Sequence, residues 1–283
     1  MKPEHSADLV VPVAIGVVLG GRLGYVLLYQ PSLLSTFYSH LPFWGLLALN
    51  EGGMASHGGM IGAILGAGYY ASRHHHHWLH MFDLVVFGAP IGLFFGRIAN
   101  FINGELYGRP CASTFRWAVK FPQEMLTWNA GQLEQLRPVV EILPTEPNQE
   151  YLLYGQRIPQ IIELIQKNNQ QVIQQIEPLL MSRHPSQIYA AVLEGLAVFG
   201  VLLVIWMKPR RPGVLAAWAF VSYAVMRIAD ELFREPDIHI GYQWNLTRGQ
   251  WLSIALLVGG LVMLAVVSRR NVEPMGGWRK RGS

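Results

Sequence analysis

The sequence predicts an all-α fold: a polytopic transmembrane helical bundle with about six spans and one long extracytoplasmic segment. Three observations predict it. Of 283 residues, 51% are hydrophobic and only 14% are charged, where soluble domains carry roughly 25%. The charges avoid six stretches, Leu9–Tyr29, Gly58–Ser72, Leu84–Gly104, Gln187–Met207, Gly213–Ala229 and Gln250–Ser268, which together hold 114 residues and four charges. The other 169 residues carry 36 charges, a density close to that of a soluble protein. Most of these runs approach the length of about 20 apolar residues that carries a helix across a hydrocarbon core of roughly 30 Å. The same composition excludes disorder, collagen and a small disulfide scaffold. A single cysteine, Cys111, rules out an intrachain disulfide.

Each element follows from its own residues. Leu9–Tyr29 is the first span; no cleavable signal peptide is visible in it. Leu41–Leu49 (LPFWGLLAL) is too short to cross and lies along the outer interface. Gly58–Ser72 is the shortest span, and its glycines permit close helix contact. The run His74–His77, with His80, belongs to a solvated loop at Arg73–Asp83 and is not read as a metal site. Leu84–Gly104 follows. Glu105–Ser186 is the long polar segment, with eight acidic and seven basic residues; Ile and Leu at helical spacing in Gln156–Glu177 predict one or two amphipathic helices. Pro209 and Pro212 bracket a tight turn between Gln187–Met207 and Gly213–Ala229, and Gln250–Ser268 is the last span. No internal repeat is present, so residues 1–283 form one transmembrane domain that includes 105–186 as an extracytoplasmic segment.

The loops orient the bundle. Met1–Asp8, Arg73–Asp83, Lys208–Pro212 and Arg269–Ser283 hold ten Lys and Arg. On the opposite side Gln30–His57 has none and Asp230–Gly249 has two. Short basic loops stay in the cytoplasm, whereas long segments cross largely regardless of charge. Both termini are therefore placed inside. The formal net charge of +4 reflects these loops and gives no reason to expect nucleic acid.

The four charges inside the spans are Arg22, Arg97, Glu194 and Arg227. Charge in a span is costly and faces a protein interior or a watery cavity. In this topology all four fall in the outer half of the membrane. Three arginines against one glutamate suit an anion such as a lipid phosphate. Arg97 and Asn100 share a face of the third span, and Asn103, Gly104 and Glu105 continue into the interface. Gly104 and Gly108 allow close backbone approach, and Arg109 adds a cation. Tyr223, Arg227 and Glu231 recur every four residues along one helix face, with Arg234 about a turn further. His57 opens HGGMIG at the outer end of its span. A transporter or flippase for an anionic lipid or solute is the alternative reading of the arginines. The missing inverted repeat and the confinement of charge to the outer half weigh against it.

Five pieces of the chain, GGRLGYVLLY (Gly20–Tyr29), GGMASHGGMIG (Gly52–Gly62), GRIANFINGELYGR (Gly96–Arg109), RHPSQIYAAVLEG (Arg183–Gly195) and YAVMRIADELFREPD (Tyr223–Asp237), resemble the prolipoprotein diacylglyceryl transferases of the bacterial inner membrane. They occur in that family's order and at about its spacing. Ala99 stands where the third motif has Gly, the Gln-rich part of the outer segment is longer than usual, and the family has a further span ahead of GGRLGY. The resemblance implies transfer of the sn-1,2-diacylglyceryl group from phosphatidylglycerol to the lipobox cysteine of a preprolipoprotein signal peptide. A thioether forms and glycerol phosphate leaves, with no metal or organic cofactor, at a site facing the periplasm from the lipid bilayer. The chemistry then asks for cations around the departing phosphate, which assigns Arg97 and Arg227, and for a base near the thiol, which assigns His57 with Glu105 or Glu231 as substitute. Arg22, Tyr25, Asn100, Asn103, Gly104, Gly108, Arg109, Glu194, Tyr223, Glu231 and Arg234 are the expected substrate contacts.

Overall fold

The computed structural model of the chain describes residues 3–143, 154–235, 242–244 and 246–278. The last two residues of the motif that begins at Tyr223, and the basic residues of 279–283, lie outside them. The helices fall where the apolar runs predict them. α1 spans Pro3–Leu28, α2 Ser56–Arg73 and α3 Trp78–Asn103. The polar segment forms the short helices α4 (Ala130–Glu134), α5 (Arg137–Glu141), α6 (Ile158–Gln166) and α7 (Gln170–Ile176). The apolar helix Ser186–Trp206 comprises α8 (Ser186–Ala190), a π-helical stretch at Ala191–Ala197 and α9 (Val198–Trp206). After α10 (Val214–Asp230), the ribbon of β1 (Tyr242–Gln243) and β2 (Leu246–Thr247) leads into α11 (Arg248–Arg269). Helices suit a bilayer because each satisfies its own backbone polar groups.

Among the described residues, Asp8–Leu28, Trp78–Asn103, Ser186–Trp206 and Arg248–Arg269 are helices long and apolar enough to cross a membrane. The other two predicted spans are helical as well. However, α2 has 18 residues and α10 has 17, and neither meets the same measure of length and hydropathy. Two helix starts differ most from the sequence expectation, and the first is α1, which begins at Pro3 rather than Leu9. α3 begins at Trp78, so Trp78–Asp83 is helix and not the predicted loop. The reason is Asp83, which is buried and accepts hydrogen bonds from Gly213 N at 2.7 Å and Ala216 N at 2.8 Å. It caps the otherwise unpaired first turn of α10, so its charge is a structural part of the helix pair.

Two compact units are present. The first comprises Met1–Pro90, Val198–Tyr223 and Ala255–Ser283. Its α1 and α2 meet along glycines four residues apart, Gly16, Gly20 and Gly24 on one helix and Gly58, Gly62 and Gly66 on the other. A Cβ added at Gly24 would lie 2.9 Å from Gly58 Cα, and one at Gly62 would fall on the Gly16 carbonyl. Backbone contact this close requires small residues, the usual solution for helix pairs without a hydrophobic drive between them. Leu9, Ala67, Tyr70, Ala71 and Met81 form a buried cluster where the start of α1 meets the end of α2.

The second unit comprises Ile91–Ala197 and Ala224–Ile254. Its polar segment builds a core of its own from Met125, Leu136, Val139, Leu143, Ile158, Ile161, Val172, Ile176 and Leu180. Burying such a side chain contributes about 1.5–3 kcal/mol. The stretch predicted to hold one or two amphipathic helices forms two, α6 and α7, and their apolar faces supply part of this core.

Candidate active site

The second unit gathers the buried charges. Glu194 lies within the π-helical stretch and is completely buried; π-turns inside α-helices recur at functional sites. Its neighbour Gly195 lets α3 approach, since a Cβ there would stand 2.7 Å from Phe94 Cβ and 3.0 Å from Phe94 Cα. Arg97, three residues beyond Phe94 on α3, is thereby brought against the Glu194 carboxylate. Arg97 Nε donates to Glu194 Oε2 at 3.1 Å and Arg97 Nη2 to the same oxygen at 2.7 Å. Arg227 Nη1 donates to the other oxygen, Oε1, at 3.1 Å. One carboxylate thus joins two arginines from two helices.

Arg227 has further acid partners on its own helix face. Its Nη1 donates to Asp230 Oδ2 at 2.7 Å, and its Nη2 lies 2.8 Å from Glu231 Oε2, close enough for an ion pair but not aligned for a hydrogen bond. Thr247 Oγ1 donates to Glu231 Oε1 at 2.9 Å. Gly249 leaves room for that carboxylate, because a Cβ there would come within 2.7 Å of Glu231 Oε1. Glu231 therefore faces the first turn of α11, where the helix dipole favours an anion. The count of three arginines to one glutamate within the spans omits Asp230 and Glu231, which sit just past the apolar run. Within this contact network two guanidiniums meet three carboxylates.

The motif that leaves α3 is held from two directions. Asn100 follows Arg97 by one turn and is half-buried, whereas Asn103 and Glu105 are exposed. Gly104 ends the helix at φ +69°, the left-handed turn that favours glycine at this position. The Glu105 carbonyl accepts from Gln187 Nε2 at 2.7 Å. Gly108 is buried against the carbonyls of His184 and Phe233, which a side chain would displace. Arg109 N donates to Phe233 O at 2.9 Å and Arg109 Nε to Arg234 O at 2.9 Å. Behind this turn Arg183, a residue the sequence reasoning did not single out, donates to Glu124 Oε2 at 2.7 Å and to the Gly108 carbonyl at 3.1 Å. It also pairs with Glu235 and lies 4.5 Å from the centre of the Tyr107 ring.

Tyr223 sits one turn before Arg227 on α10 and is half-buried. Arg22, Tyr25 and His57 belong, like Tyr223, to the first unit. Arg22 is buried and donates to four main-chain carbonyls, Leu46 at 2.8 Å, Gly45 and Gly52 at 2.5 Å each, and Gly53 at 3.2 Å. It fastens the segment after the first span to α1. Tyr25 stacks on Tyr29 and donates to Gln30 Oε1. His57 is the second residue of α2 and is exposed. Sequence reasoning missed Asp230 and the π-turn. The adjacent acids of ADELF were a visible signal for the first, and nothing in composition marks the second.

The family model for prolipoprotein diacylglyceryl transferase matches residues 1–266. The chain is 47% identical to the phosphatidylglycerol--prolipoprotein diacylglyceryl transferase of Bdellovibrio bacteriovorus, over 98% of this chain and 84% of that protein. It is 37% identical to the protein of the same name from Psychrobacter arcticus, over 96% and 82% of the two chains. The corresponding protein of Zymomonas mobilis is 36% identical, over 96% and 75%. With its motifs in order and its helices at the predicted positions, the chain belongs to the prolipoprotein diacylglyceryl transferase family.

Proposed function

We propose that the chain transfers the sn-1,2-diacylglyceryl group of phosphatidylglycerol to the lipobox cysteine thiol of a preprolipoprotein, forming a thioether and releasing glycerol phosphate. The observation that carries this reading is the pair Arg97 and Arg227 held on one buried carboxylate, Glu194, in a chain of this family. Breaking the glycerol C–O bond increases the negative charge on phosphate, and preset guanidiniums lower the cost of that change. Asn100, Asn103 and Tyr223 supply neutral hydrogen bonds to the headgroup. Glu194 and Glu231 orient the arginines, while Gly104, Gly108, Arg109 and Arg234 shape the outer edge. Arg22 and Tyr25 are further proposed substrate contacts. His57 takes the thiol proton, since imidazole is the side chain best matched to that task near neutral pH; Glu105 is the substitute. The chain crosses the bacterial inner membrane six times, with both termini in the cytoplasm and this site on the periplasmic side, where a translocated signal peptide displays its cysteine.

The test is direct. Purified protein is incubated with phosphatidylglycerol and a lipobox peptide, and the peptide mass is measured. A diacylglyceryl adduct on the cysteine peptide, absent from a Cys→Ser peptide, is the expected result. No adduct, with a relative of the family active alongside, overturns the reading and leaves anion transport. A His57→Gln variant with full transfer activity removes His57 as the base.

A further inference from the structure

Asp230 is an acid that the transfer reaction as described does not use. It is 1% exposed, and only Oδ2 is engaged, by Arg227 Nη1 at 2.7 Å. Oδ1 is buried and has no hydrogen-bond partner among the described residues. The other two acids of the network are better satisfied. Glu194 holds arginine nitrogens on both oxygens. Glu231 Oε1 accepts from Thr247, and Oε2, which likewise has no hydrogen-bond partner among the described residues, lies 2.8 Å from Arg227 Nη2.

Charge balance supplies the next step. The groups facing Asp230 are Arg227 and Glu231 on α10, Glu194 on the π-turn and Arg97 on α3, and Arg234 beyond the helix also acts on its charge. Fully ionised, the contact network of two guanidiniums and three carboxylates carries one surplus negative charge before any substrate enters. A phosphodiester held by Arg97 and Arg227 adds another beside carboxylates that are at most 5% exposed, where unbalanced charge is costly. One proton relieves both, and Asp230 Oδ1 can accept it without breaking a hydrogen bond, whereas protonating Glu231 Oε2 would weaken its ion pair with Arg227.

Resting on the proposed transfer reaction, we propose that Asp230 is its general acid: Oδ1 carries a proton in the substrate complex and passes it to the phosphate oxygen that leaves the diacylglyceryl carbon. The step balances. The sulfur–carbon bond forms, the carbon–oxygen bond breaks, and its electron pair stays on oxygen, which takes the Asp230 proton. The thiol proton goes to the base. Asp230 is then reprotonated from solvent as the base releases its own proton, so the net products are thioether and glycerol phosphate.

The experiment compares wild type with Asp230→Asn on two substrates: phosphatidylglycerol, and an analogue with sulfur in place of the leaving oxygen, which departs without needing a proton. On the oxygen substrate kcat of the variant should fall about 10²-fold, the low end for loss of a general acid, with KM within about threefold. On the sulfur substrate the two proteins should agree within about threefold. A variant that retains kcat on the oxygen substrate overturns the assignment, and so does an equal deficit on both substrates, which is the mark of a structural role. Should the variant not fold, wild type alone decides. Its kcat should decline at alkaline pH with the oxygen substrate and not with the sulfur one; the same decline with both refutes the acid. A wild type that makes no adduct from either substrate removes the transfer reading itself, whereas an active wild type with an equally active variant removes only this step.

Discussion

Replacing Glu194 with glutamine perturbs the centre of the network while preserving its shape. The carboxylate accepts three hydrogen bonds from two guanidiniums, at 3.1 and 2.7 Å from Arg97 and 3.1 Å from Arg227. Glutamine keeps one acceptor oxygen. Turned toward Arg97 it retains that pair of bonds, and its amide N–H groups then oppose Arg227 Nη1. Removing one partner of a buried ion pair costs about 3–5 kcal/mol. Arg227 keeps Asp230 and Glu231, which reduces the expected loss to about 2–3 kcal/mol. Expressed in the transition state, this is about a 30- to 160-fold decrease in rate. The decrease should fall on kcat, because a site relieved of one negative charge binds an anionic headgroup at least as well. Steady-state transfer to a lipobox peptide, run beside a thermal melt in detergent, separates lost activity from lost folding. A Glu194→Gln protein that transfers within about threefold of wild type would refute the argument that this carboxylate sets the arginines in place.

Other outcomes follow from the same contacts. Arg97→Ala and Arg227→Ala should abolish most transfer with little change in the melt. Arg22→Ala should act mainly on stability, because it strands four carbonyls that Arg22 now satisfies; equal effects of all three on activity would contradict this division. Gly62→Val drives a side chain into the Gly16 carbonyl and should destabilise by about 1–3 kcal/mol or more, whereas Gly68→Ala, with nothing within 4 Å of the new Cβ, should leave the melt unchanged. Outside the spans, the Lys167 hydrogen bond and charge hold the Glu163 carboxyl below its usual range. The pair therefore contributes above the normal Glu titration and is lost as pH falls through the lowered value. Lys167→Met should move the Glu163 titration upward in an NMR pH series, and an unmoved titration would contradict the pairing.

Helix positions were legible in the sequence because apolar runs bounded by charge leave little choice. Gln187–Met207 was expected and Ser186–Trp206 is found. Arg97, Glu194 and Arg227 were legible as a charged set for the same reason. Three features were not. The π-turn around Glu194 is a shift in hydrogen-bond register, and its residues, AVLEGLA, suit an ordinary α-helix equally well. Asp83 ends the expected loop Arg73–Asp83 because its cap partners, Gly213 and Ala216, are 130 and 133 residues away in sequence. Asp230 lies one residue past the apolar run, at the head of the expected loop Asp230–Gly249, although the helix continues to it and buries it. In each case the deciding contact is long-range or depends on one turn of helical phase, which composition does not encode.

The most direct measurement of the central claim couples both products of the reaction. Wild type and Arg227→Ala protein are each supplied with phosphatidylglycerol labelled in its headgroup and with a lipobox peptide. Diacylglyceryl peptide and free glycerol phosphate are then quantified together. The account predicts equimolar appearance of the two with wild type and loss of both with Arg227→Ala. Peptide adduct without glycerol phosphate, or equal yields from both proteins, would contradict it.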